Sequence, residues 1–181
     1  MPPAIPPTFF YSPNAYALGI IEPRPIMCQC CGQERAFRYT GNLYSEAAVG
    51  QLCPWCIADG SAAEKYNGSF VSDFEGLTPA PGEPSLVLSE ASLAQVSSRT
   101  PGYASWQGDM WLGHCGEACI FLGYVGSKEV ASVWEEVRAD AVASGWGEET
   151  IRHQMHKDGD MTGYLFQCQH CGRHRLHIDA N

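Results

Sequence analysis

Basic residues are scarce. The 181-residue chain sets eleven lysines and arginines against twenty aspartates and glutamates, a formal charge of −9. That balance repels phosphate over most of a surface, argues against nucleic acid, and favours a basic protein partner attracted and oriented at long range. Long apolar runs are lacking too, so no bilayer-spanning segment and no membrane partner are expected. The opening MPPAIPPTFFYSP has neither the basic start nor the apolar stretch of a secretory signal, which sets the expectation of a cytoplasmic protein. There is no phosphate loop, dinucleotide fingerprint, nucleophile elbow or carboxylate pair with an assignable role, and no enzyme is expected.

Cysteine, by contrast, is plentiful: nine residues, an odd number, which in a reducing compartment points to metal before disulfides. Cys28/Cys31 and Cys53/Cys56 form two Cys-x-x-Cys pairs with twenty-one residues between them. Two thiolates three apart on a tight turn grip one face of a tetrahedral ion, and a second turn closes the other at about 2.3 Å per bond. Gly32 after the first pair supplies a permissive backbone. A structural Zn2+ is the expectation. Cys30 is a spare thiol, and a 30/53/56 register and two disulfides are the competing arrangements.

CQHCG in the tail repeats the motif with Cys168 and Cys171. Its other half would come from HCGEAC, through Cys115 and Cys119, with His114 the competing fourth ligand if Cys119 only packs. A second zinc there would be structural. The His-x-Glu order of zinc deaminases is not met, because Glu117 follows His114 by three residues. His153 and His156 read as a solvated helix turn. His170, His174 and His177 with Arg173 and Arg175 make one small basic island.

The expected fold class is α+β. Residues 1–78 form a proline-punctuated arm pinned by Phe9, Phe10, Tyr11 and Tyr16, then a zinc-ribbon-like knuckle region with a strand over 36–41 and a helix from Pro54 to about Tyr66. Residues 79–181 form an α+β half with the second cysteine knuckle, one continuous domain being the alternative. The loop-like stretch 67–85 is the candidate boundary. Ser89 opens a short helix to about Ser98, and residues 116–123 are expected to be helical. Tyr103, Trp106 and Trp111 read as core or rim packing. The clearest helix runs from Ser127 to Gly145, with Val130, Val133, Trp134, Val137 and Ala141 as its buried stripe. A helix over 148–157 and strands over 164–168 and 174–178 complete the chain.

LCPWCIADGSAAEKY, RTPGYASWQ, WLGHCGEACIFLG and YLFQCQHCGRHRLHID, taken with CQCCG, resemble the CbrC family of small bacterial proteins. That family typically has Ala near position 119, which raises the claim of His114 here. The resemblance implies tolerance to nuclease colicins and kinship with immunity proteins, and it names no active site. The expected function is therefore a zinc-stapled acidic protein that binds and neutralises a basic toxin domain such as a nuclease. Its contact surface would be Asp73, Glu75, Glu129, Glu135, Glu136, Asp140, Glu148 and Glu149. The alternative is a zinc-dependent enzyme or zinc-ribbon regulator acting on a small molecule or nucleic acid.

Overall fold

The structure, a computed structural model, describes residues 5–75 and 88–181. The boundary expected at 78/79 and much of the 67–85 loop lie outside the described residues. The chain divides into two compact units, both discontinuous: Met1–Ser72 with Glu90–Ala104, and Asp73–Ser89 with Ser105–Asn181.

The first unit is built from short pieces. Its arm is held by buried Phe9 and Tyr11 and by the Tyr16 hydroxyl, which donates to the Pro7 carbonyl at 2.9 Å. Strands β1 (Ile21–Glu22), β2 (Ile26–Met27), β3 (Glu34–Arg35) and β4 (Arg38–Tyr39) pair antiparallel as β1–β4 and β2–β3. The strand expected over 36–41 is confined to Arg38–Tyr39, which pairs with β1. The helix expected over 54–66 is two, α1 (Pro54–Ala58) and α2 (Ser61–Tyr66), broken where Gly60 turns left-handed at φ 81°. Helix α3 (Glu90–Arg99) packs on both, with Ile57 and Val96 fully buried.

The second unit contains β5 (Asp73–Phe74) and β6 (Met110–Trp111), which pair in parallel, and a small hairpin of β7 (Gly113–His114) and β8 (Glu117–Ala118). A three-stranded antiparallel sheet follows, in the order β11-β10-β9: β9 (Ile120–Val125), β10 (Met161–Gln167), β11 (His174–Ala180). Residues 116–123, expected to be helical, are hairpin and strand. The alternation of IFLGYV puts every second residue inside, a two-residue period that a helix cannot satisfy. Helices α4 (Trp134–Ala143) and α5 (Glu148–Gln154) cover one sheet face. There Val125, Val130, Val137, Ala141, Ile151, Met155, Leu176 and Ile178 form one apolar cluster, with Val133 and Trp134 half-buried against it. Trp111, Phe121 and Phe166 make a separate aromatic group at 5.2–6.3 Å. Tyr103 and Trp111 are buried, whereas Trp106 is half-exposed. Among the described residues, no helix is long and apolar enough to cross a membrane.

Candidate metal centres

Among the described residues, two four-residue clusters could hold a metal ion, one wholly within each unit: Cys28, Cys31, Cys53 and Cys56, and His114, Cys115, Cys168 and Cys171. In each, the ligand atoms all lie within 4.8 Å of one another.

The first begins at the turn of the β2–β3 hairpin. Cys28 N–H donates to the Gln33 carbonyl (2.9 Å), and Gly32 N–H, at φ 65°, donates to the Cys28 carbonyl (2.8 Å). The turn is clamped from α2, where Lys65 Nζ reaches the Gln29 and Cys30 carbonyls (3.0 and 2.7 Å). The Gln29 side-chain oxygen accepts from the Gly50 and Gln51 N–H groups, which fixes the approach to Cys53. Cys53 then sits at the N-cap of α1, Pro54 starts the helix, and Cys56 follows in its first turn. Sulfur separations are 3.9 Å for Cys28–Cys56 and 3.6 Å for Cys53–Cys56. Four sulfurs at about 2.3 Å from a shared tetrahedral ion lie about 3.8 Å apart, so the spacing fits a bound cation. All nine cysteines are free. Cys30 lies outside the cluster, 3.6 Å from the Ser61 hydroxyl.

Electrostatics support the same fit. Burial pushes the Cys53 thiol up to about 11 and Cys56 further, and the Cys28 sulfur adds to both. Burial opposes ionisation of Cys31 too, but hydrogen bonds from Gln33 and Arg35 bring it down to about 7. Four crowded thiolates repel one another, and a divalent cation lets them ionise together. Arg35, stacked over Trp55 at 4.9 Å, is a further counter-charge that sequence reading did not single out.

The second cluster reuses the knuckle between β10 and β11. Cys168 N–H donates to the Arg173 carbonyl (2.9 Å), and Gly172 N–H, at φ 74°, donates to the Cys168 carbonyl (3.0 Å). The facing half is the turn of the β7–β8 hairpin, Cys115–Gly116, with φ 54° and 76°. Two positive φ values mark the primed turn that suits tight hairpins. A cysteine is unusual in this conformation, and such strain is retained where a position has a task. The turn brings Cys115 Sγ to 3.9 Å from Cys171 Sγ, with His114 Nδ1 3.2 and 3.4 Å from the two sulfurs. Cys119 is not in the cluster. It lies beyond β8, its N–H donates to Leu112 at 2.9 Å, and it is fully buried, so the structure gathers His114 in its place.

Arg175 sets the hairpin's position. Its Nη1 bonds the Gly113 carbonyl, Nε bonds Asp140 at 2.8 Å, and Nη2 bonds Glu75 at 2.6 Å. Glu75 also accepts the Gly113 N–H at 3.3 Å. The carboxylates expected at a partner surface are placed as follows. Glu136 accepts the His174 N–H (2.8 Å), Asp140 the Leu176 N–H (2.9 Å) and Glu129 the Gly126 N–H (2.8 Å). Glu148 pairs with Arg138 and Arg152, and Asp73 accepts the Phe74 N–H. Glu135 and Glu149 are exposed. His153 and His156 belong to neither cluster, and the Arg175 of the basic island is engaged internally.

The family model described as "Uncharacterised protein family (UPF0167)" matches residues 6–180. The chain belongs to this family. UPF0167 protein PA1536 of Pseudomonas aeruginosa is 38% identical over 179 residues, covering 96% of each chain. UPF0167 protein Mb2317 of Mycobacterium bovis is 34% identical over 180 residues, 96% of this chain and 92% of that one. UPF0167 protein MT2352 of Mycobacterium tuberculosis matches equally. No solved structure matches. The resemblance to the CbrC family is thereby corrected, since family model and relatives alike identify UPF0167.

Proposed function

We propose that this UPF0167 member is a zinc-stapled acidic protein that binds a basic protein domain, of which a nuclease-type toxin domain is one example. One observation carries the reading. The unit Asp73–Ser89 with Ser105–Asn181 holds fourteen acidic and six basic residues, a net −8, whereas the other unit holds six and five, a net −1. So uneven a charge steers a basic partner towards one unit and raises its association rate. Both donor sets suit zinc, four sulfurs in the first centre and three sulfurs with one imidazole nitrogen in the second. Four protein ligands also leave no position for an activated water, which supports a structural role over a catalytic one. Exposed Glu135 and Glu149 are the foremost contacts, because the other nominated carboxylates already hold parts of the fold.

The test is calorimetric titration of the zinc-loaded chain against a panel of basic nuclease domains and acidic controls. Binding to a basic member, weakening as salt rises, is expected. Absence of binding to every basic domain at low ionic strength would sink the reading.

A further inference from the structure

The two centres differ in what solvent reaches. In the first, Cys28, Cys53 and Cys56 are buried and Cys31 is half-buried, but in the second Cys115 and Cys171 are both exposed. These two sulfurs are 3.9 Å apart and come from different hairpins. A disulfide spans about 2.05 Å, so an approach of about 2 Å joins them. Cys168 is buried and His114 half-buried, which leaves Cys115 and Cys171 as the sulfurs an incoming reagent meets.

We propose that Cys115 and Cys171 form a thiol-oxidation site, at which a hydroperoxide joins them in a disulfide and so releases the metal of the second centre. The inference rests on the reading that this centre holds zinc. One exposed thiolate attacks a peroxide oxygen; the O–O bond breaks, a sulfenic acid forms, and the leaving hydroxide takes up a proton as water. The second thiolate attacks the sulfenic sulfur, an S–S bond forms, and the hydroxide that leaves takes up a proton as a second water. In sum, two thiolates give up two electrons, and hydrogen peroxide with two protons becomes two waters. The ion keeps only His114 and Cys168, too few to hold it. The first centre, with three buried sulfurs, withstands the same reagent.

The experiment uses the full chain in a Cys30→Ser background, which removes the half-buried thiol outside both centres. Bound zinc is counted by native mass spectrometry, hydrogen peroxide is added, release is followed with a chromogenic chelator, and disulfides are mapped by peptide mass. Two ions before oxidation, one leaving about tenfold faster than the other, and a Cys115–Cys171 bridge that thiol and zinc reverse are expected. Release of both ions at one rate, or a bridge that includes Cys168, overturns the inference. Two bound ions that peroxide leaves in place overturn it as well. Fewer than two ions before oxidation overturn the zinc reading on which it rests.

Discussion

Arg175 shows how one side chain fixes a site it does not join. Its side chain is 15% exposed, and it spends its planar fork on Asp140, Glu75 and the Gly113 carbonyl. Gly113 directly precedes His114 and Cys115, so the guanidinium sets where those two ligands begin. Arg175→Met keeps the apolar stem and removes the charge, leaving Glu75 and Asp140 without compensation. We expect a loss of about 3 kcal/mol in a denaturant titration, the usual scale for breaking a mostly buried pair from one side. Metal affinity of the second centre should fall about tenfold or more in a chelator competition, because supporting groups orient ligands. The first centre should be unchanged. Equal loss from both centres, or none from the second, would count against this role. Arg175→Lys separates charge from geometry: it restores a cation without the fork, and should recover stability better than affinity.

At the scale of elements, α4 and β11 fit by a match of periods. Glu136 and Asp140 lie four apart on one helix face, and they accept the N–H groups of His174 and Leu176, two apart on a strand that ends the sheet. The start of the edge is thereby closed to other strands at those two positions. Beneath it, Gly163 of β10 sits where a Cβ would come 2.9 Å from Met155 Sδ and from Val125 Cγ2, and 3.1 Å from Leu176 Cδ1. Gly163→Ala should cost about 1–3 kcal/mol by overpacking and lower the melting temperature while leaving metal content intact. An unchanged melting temperature would mean that the helices yield more easily than their packing implies. The same elements mark what could be read in advance. The two Cys-x-x-Cys-Gly turns and the buried Val137 and Ala141 of α4 follow from spacing alone, whereas the helix expected from Ser127 starts only at Trp134, after a tight turn over Ala131–Val133. Three things were not legible. Residues 116–123 hide a hairpin because Cys115 adopts a left-handed turn that its residue type does not announce. Cys119 and His114 could not be ranked without the direction that hairpin imposes. Glu136 and Asp140 look like a solvated helix face until a strand edge with free N–H groups is laid beside them.

For the whole molecule, the question is how much of each unit a metal at its candidate centre would hold. In the first unit no strand among the described residues exceeds two residues, α1 and α2 run five and six, and only α3 reaches ten. Helices that short are marginal by themselves, and two-residue ladders add little. The hairpin turn at Cys28 and Cys31 meets the start of α1 through the shared centre, helped by the hydrogen bonds of Gln29 and Lys65. The second unit has two seven-residue strands and an apolar cluster that spans both helices and the sheet, so a metal there would fasten a hairpin onto a fold with a core of its own. Stripping both ions with a chelator should therefore give two outcomes within one chain. Hydrogen exchange across Cys28–Cys56 should rise to the unprotected rate, while amides of β10 and β11 stay protected. Circular dichroism should fall only in part, and later heating should show a remaining cooperative transition from the second unit. A single transition that takes both units together, or protection retained around Cys28, would mean that burial rather than metal fixes the first unit. Because the −8 charge resides in the unit expected to persist, a basic partner that binds the loaded protein should still bind the stripped one, more weakly where its contact includes the β7–β8 hairpin.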